Sequence, residues 1–286
     1  MLRSIQELFV DRDRQLEAFR NMLGGRIRRR IMLIKAPEGM GKTWLLQTYA
    51  HEAARQKLPH VYIDFGDGQS YDALSLIRRF RDAFGAEHFP NVAAAFAAVL
   101  APQVSINIEN STLNNSPVSV QNVTPSFQTD NPVIRQAIED RVTTAFFDDL
   151  ARLVQHAMPV FLFDTYGRTS TQQDRWVPGE ADRWIMGQLL TRLRERRLEK
   201  VVVVIAGERT PEFGSEWSEV LGRMSLDPLV CRDVDEYLRQ RRGLTSISDA
   251  EIEVLCQAVN GNPQVLGLIG DNLELAKSPA LHDDEW

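Results

Sequence analysis

Apolar runs of four or five residues alternate along most of this chain with longer stretches in which apolar positions recur at helical spacing. Four of the runs read as buried strands: Ile31–Lys35, Val61–Phe65, Val160–Asp164 and Val201–Ile205. The last is nearly continuous in β-branched residues, which predicts a central position in a parallel sheet. Leu226–Val230 reads as a short fifth strand. Between the runs, Leu16, Phe19 and Leu23 share one face of a helix that Asp11 or Asp13 could cap and Gly24-Gly25 stops. Further helices are predicted up to about Gln56, over 72–84 and 93–100, and over 132–157 on the spacing of Ile134, Ile138, Val142, Phe146, Leu150 and Leu153. Another is predicted over 184–197. Strands alternating with helices imply an α/β fold, a three-layer core around a parallel sheet. From Asp233 onward the pattern is all-helical, over 233–242, 248–259 and 263–277. The predicted division is therefore a core at 1–231 and a small helical lid domain at 232–286.

One window breaks this rhythm. No Lys or Arg occurs between Asp82 and Ile134, and Val104, Ile106 and Ile108 alternate with polar residues, as do Val118 and Val120. With Asn114-Asn115-Ser116-Pro117 as a turn, this predicts a polar, β-rich insertion at about 103–131. It reads equally as a partner surface or as a mobile loop.

Composition narrows the function classes. A formal net charge of −6 argues against a protein that coats nucleic acid, and leaves only a local basic patch open. The two basic runs, Arg26 to Arg30 and Arg192 to Arg197, read as solvated, the second being interleaved with Glu195 and followed by Glu199. Cys231 and Cys256 read as two reduced thiols, with neither a disulfide framework nor a metal cluster. The first residues lack an apolar signal core, and no run reaches the roughly 18 apolar residues of a membrane span. The expectation is a soluble, cytoplasmic protein without membrane contact.

The most specific chemistry lies directly after the first strand. Ala36-Pro37-Glu38-Gly39-Met40-Gly41-Lys42-Thr43 is a glycine-bearing turn that opens into the helix starting at Trp44. Strand, glycine loop and helix in that order wrap a polyphosphate in backbone N–H groups and aim the helix dipole at it. Lys42 would reach the β- and γ-phosphates, and the Thr43 hydroxyl would take one Mg²⁺ position. The strict pattern begins with Gly; Ala36 can replace it if its φ stays negative. At the end of the third strand, Asp164 stands where ligands of open α/β sheets bind, and would hold Mg²⁺. Past the fourth strand, Arg209 is the candidate to sense the γ-phosphate, with Glu208 as alternative.

Four stretches together resemble the STAND class of P-loop ATPases, the NACHT and NB-ARC modules within the wider AAA+-like group. Phe9-Val10-Asp11-Arg12 is similar to the family's hydrophobic-Gly-Arg-Glu motif, with Asp11 where Gly is usual. Ala36–Thr43 matches Walker A, Phe163-Asp164-Thr165-Tyr166 a Walker B form, and Gly261-Asn262-Pro263 resembles Gly-x-Pro. The resemblance implies an ATP or ADP site lined by Phe9, Val10, Pro37 to Trp44 and Pro263, with Lys42, Asp164 and Arg209 as its working residues. Two departures matter. Thr165 follows Asp164 where related ATPases place a water-polarising Glu, and loss of a general base costs two to four orders of magnitude in rate. The family also continues into a winged-helix domain and a repeat sensor, whereas this sequence ends at Trp286. That implies a shortened chain, a separate partner chain or a homo-oligomer. The expectation is a nucleotide-operated switch in signalling or bacterial defence with slow or absent hydrolysis. An active ATPase working on DNA or protein, with Arg168 acting across a subunit interface, and a scaffold with structural nucleotide stay open as alternatives.

Overall fold

The computed structural model describes residue 10 and residues 12–109 and 131–277. Its centre is a parallel sheet of β1 (Ile31–Lys35), β2 (His60–Asp64), β3 (Val160–Asp164), β4 (Val202–Gly207) and β5 (Leu221–Ser225). The strand order is β2-β3-β4-β1-β5, so β4 lies between β1 and β3, centrally as its β-branched run predicts.

The two-residue period of the strands sorts side chains to opposite faces. Phe161, Phe163, Val203, Ile205 and Ile63 point to the side covered by α3 (Ala73–Phe84), α4 (Pro90–Glu109) and α5 (Pro132–His156). The helical stretch α6 (Glu180–Trp184), a π-turn at Ile185–Leu190 and α7 (Thr191–Arg194) lie on that side too. Phe80, Phe84, Phe146 and Trp184 meet Phe161 or one another there as packed rings. Each fully buried ring contributes about 1.5–3 kcal/mol of burial free energy. Leu162, Val202, Val204 and Ile34 face the other side, against α1 (Asp13–Leu23) and α2 (Lys42–Arg55). There Phe19 stacks on Tyr49 with centroids 4.1 Å apart. A third cluster, built from Leu229, Val234, Leu238, Ile252 and Leu266, holds α8 (Cys231–Asp235), a π-turn at Glu236–Arg241, α9 (Asp249–Val259) and α10 (Pro263–Lys277) together. Val10 packs against this cluster.

Several expectations are corrected. The alternation at Val104, Ile106 and Ile108 is not a strand, because α4 continues through Glu109. An alanine-rich segment begins that helix, and extending a formed helix fixes one residue per bond gained, which β-branched residues do not prevent. Val118 and Val120, with the rest of 110–130, lie outside the described residues. The fifth strand is Leu221–Ser225, not Leu226–Val230. Pro228 denies the later run a ladder donor, whereas the edge position of β5 tolerates the polar Arg223 and Ser225. Asp13 sits in the first turn of α1 and makes no cap; Arg12 holds the cap position without a side-chain bond to the helix. Asp11 lies outside the described residues. The helix expected over 184–197 begins at Glu180 and contains a π-turn. Finally, Cys231 and Cys256 are joined in a disulfide. Across 25 residues the sequence gives no sign of this, but α8 and α9 lie side by side and set the Cα atoms 5.3 Å apart.

Candidate nucleotide site

The loop after β1 is shaped by two left-handed residues, Gly39 at φ 78° and Gly41 at φ 83°, which a side chain would strain. Gly41 caps α2, and its carbonyl accepts from Leu45. Ala36 does not adopt a positive φ, so the missing first glycine leaves the turn intact. The Lys42 ammonium bends back over the loop and donates to the Ala36 and Pro37 carbonyls at 2.8 and 2.6 Å. An ammonium has three donors, so one remains for a phosphate oxygen. Burial lowers the Lys42 pKa, and the carboxylates of Glu208, Asp164 and Glu38 oppose that by favouring the charge.

Asp164 ends β3 and is buried. One of its oxygens accepts from the Thr165 N–H at 2.8 Å, the other from the Tyr62 hydroxyl at 2.8 Å. Each oxygen keeps a further lone pair for a metal-bound water. Thr165 follows at φ 51°, a left-handed residue that turns the chain sharply away from the sheet. Past β4, Arg209 donates to the Gln172 carbonyl at 2.9 Å.

The helical unit comes down onto this loop. Asn262 caps α10 by accepting from the Gln264 and Val265 N–H groups at 2.9 and 3.3 Å, and Gln264 N–H also reaches the Gly39 carbonyl at 3.2 Å. A Cβ on Gly39 would lie 2.8 Å from the Asn262 amide, so the contact needs glycine for space as well as for φ. Between loop and α10 opens a cavity of about 1030 Å³.

That cavity gathers most of the residues singled out in the sequence: Val10, Glu38 through Trp44, Asp164, Arg209 and Pro263 line it. Pro37 is outside the lining and contributes its carbonyl to Lys42. Phe9 lies outside the described residues. Glu208 lines the cavity as well, and so does Arg168, in its own chain's site. Sequence reasoning passed over Arg12, a buried arginine whose Nη2 donates to the Met40 carbonyl at 3.4 Å, although it closes the N-terminal motif. It also missed Tyr62, Gln172, Gln264 and Asp271, which no motif marks. The described residues contain no group of three or more His, Cys, Asp or Glu able to hold a metal by themselves. A Mg²⁺ here would therefore be shared between Thr43, Asp164 and phosphate oxygens, as phosphoryl-transfer sites arrange it.

A parallel sheet in this strand order, with a Gly-Lys-Thr loop after β1 and an acid ending β3, is the fold of the AAA+-type P-loop ATPases. The solved structures that share it are distant in sequence. AMPPCP-bound DnaA from Aquifex aeolicus aligns with a TM-score of 0.51 at 13% identity, covering 96% of this chain and 65% of that one. Cdc6p from Pyrobaculum aerophilum gives 0.50 at 14% identity, with 96% and 66% covered. A STAND protein with a tetratricopeptide repeat sensor from Pyrococcus horikoshii gives 0.49 at 14% identity, covering 92% of this chain and 30% of that one. The chain thus spans about two thirds of the first two proteins and under a third of the last. No protein-family model and no curated protein matches it. Among the described residues, no helix is long and apolar enough to cross a membrane.

Proposed function

We propose that this chain is a nucleotide-operated switch of the STAND type, in which bound ATP or ADP fixes the lid (232–286) against the core (1–231). The observation that carries this reading is the bond from Gln264 N–H to the Gly39 carbonyl. The helix that bears Pro263 begins on the phosphate loop itself, so a nucleotide in the cavity touches both units at once. Positive-φ Gly39 and Gly41, the α2 N-terminus, Lys42 and Thr43 form a donor set that suits a polyphosphate. Mg²⁺ would neutralise charge between β- and γ-phosphates, held by Thr43 and Asp164. Lys42 and Arg209 would distinguish ATP from ADP, since a ligand shifts a conformational equilibrium only by its differential affinity for the two states. A γ-phosphate would compete with the Gln172 carbonyl for Arg209, which gives that residue two alternative partners. The AMPPCP-bound neighbour supports an adenine nucleotide, and oligomerisation or a protein partner is the output this reading favours.

Thr165 supplies no general base, so hydrolysis is slow and occupancy is the signal. A second reading, a working ATPase, rests on Glu208. This carboxylate lines the cavity and favours the charge on Lys42, so it stands in the right region to polarise a water.

The switch reading is tested by thermal unfolding with and without Mg·ATP. Wild type should unfold at higher temperature with nucleotide, as any ligand that binds only the folded state requires. Lys42→Ala should show no shift. A full shift in that variant would remove the phosphate-loop assignment.

A further inference from the structure

The two basic runs that look solvated in the sequence come together in the fold, at the end of the sheet away from the nucleotide cavity. The strand starts form one continuous ladder there. Val160 N–H donates to the Pro59 carbonyl at 2.9 Å, Val202 to Pro159 at 3.0 Å, Val203 to Arg30 at 2.8 Å and Arg30 to Val220 at 2.8 Å. The segments preceding β1 and β4 are therefore neighbours, and the Arg30 Nε donates to the Glu199 carbonyl at 2.6 Å. Arg26, Arg28 and Arg29 before β1, Arg197 and Lys200 before β4, and Lys57 before β2 all stand exposed along this edge. Five residues of β1 at about 3.3 Å each separate it from the phosphate loop by about 16 Å.

Carboxylates share the face but do not cancel it. Glu195 pairs with Arg197 at 3.1 Å, Glu219 with Arg196 at 2.6 Å, and Glu199 lies close enough to Arg30 to act on its charge. Arg26, Arg28, Arg29 and Lys200 have no ion-pair partner among the described residues. Basic residues in the last turn of a helix are explained by its dipole, and Arg55 of α2 and Arg194 of α7 have that explanation. Arg26, Arg28 and Arg29 follow the Gly24-Gly25 stop, and Lys200 follows α7 by several residues, so the dipole does not account for them. These cations gather on one edge of a chain whose net charge is −6, so positive charge is segregated on its surface.

We propose that this edge of the sheet docks the phosphate backbone of duplex nucleic acid, without reading its sequence. Three ladder steps of about 4.8 Å, from β2 to β1, spread the cations over about 14 Å. Duplex DNA offers a phosphate charge about every 1.7 Å along its axis, so such a row meets several phosphates at once. Guanidinium groups suit that partner, because their donor fork matches phosphate oxygens. The segments 26–30 and 195–200 contain no aromatic side chain, which argues for backbone contact over base stacking.

The test is fluorescence anisotropy of a fluorescein-labelled duplex of about 20 base pairs, titrated with the full chain between about 50 and 200 mM salt. Wild type should bind with steep salt dependence. The triple variant Arg28→Glu/Arg29→Glu/Lys200→Glu should bind at least tenfold more weakly, with the log–log salt slope reduced by about 2 to 3. A control that reverses two charges away from this edge, Arg14→Glu/Arg141→Glu, should change binding less than twofold. All three proteins should keep the same unfolding temperature and the same stabilisation by Mg·ATP, which separates this surface from the nucleotide site. The proposal is overturned if wild type shows no binding at low salt, or if the triple variant binds as wild type does. It is also overturned if the chain binds phosphatidylserine vesicles or polyglutamate but not the duplex.

Discussion

Lys42 stands between opposing demands. Burial disfavours its charge, while Glu208, Asp164 and Glu38 favour it. A bound phosphate would add to the second side, as the proposed switch requires. Asp164 is similarly placed, with one acceptor site on each oxygen used by Thr165 and Tyr62. Asp164→Asn keeps the shape and one carbonyl acceptor but removes the charge. It should weaken Mg·ATP binding tenfold or more and change metal-free ADP binding less than threefold, as calorimetric titration would read. Equal losses for both ligands would make Asp164 a structural residue. Away from the site, Glu52 is buried between α1 and α2; burial raises its pKa, but donors on Arg55, Gln56 and Arg20 outweigh that and hold it at about 2. A depressed carboxylate pKa contributes stability that is complete above its ordinary value near 4.5 and is lost as pH falls toward 2. Glu52→Gln should therefore lose about 1–2 kcal/mol at neutral pH, allowing for solvent screening at the exposed arginines, and should flatten the acid limb of a stability–pH curve. At this scale the sequence marked Lys42, Thr43 and Asp164 because each follows a strand in a motif. Tyr62 and Gln172 carried no mark, since their roles come from strand register and a loop contact that only the folded chain creates.

Among the elements, the contact between α10 and the loop after β1 is what would couple the two units in the proposed switch. Gly39 combines a left-handed φ with the close approach of Asn262. Gly39→Ala should thus cost about 1–2 kcal/mol from backbone strain alone, and should lower nucleotide affinity further by lifting α10. Chemical denaturation and an ADP titration on the same variant would show both effects; unchanged ADP affinity would uncouple the lid from the loop. The core strands were legible because β1, β3 and β4 are apolar without interruption. β5 was not, because an edge strand alternates and carries Arg223. The helix α4 was misjudged past residue 103 because alternating β-branched residues look like a strand when the helix already propagating into them is ignored. The Cys231–Cys256 pair could not be read at all, since nothing local brings α8 to α9.

At the scale of the molecule, one sheet has a different kind of surface at each end. Its C-terminal edge and α10 border the cavity of the proposed nucleotide site, and its N-terminal edge carries cations without an ion-pair partner among the described residues. In the proposed switch, the first end holds a nucleotide without consuming it quickly. Single-turnover hydrolysis tests this most directly, with the chain in excess over Mg·ATP labelled on the γ-phosphate and both retention and release followed. ATP should stay bound and lose its phosphate at about 0.01 per second or slower, two or more orders below an ordinary enzyme. Turnover on the order of one per second, or no retention of ATP at all, would contradict it.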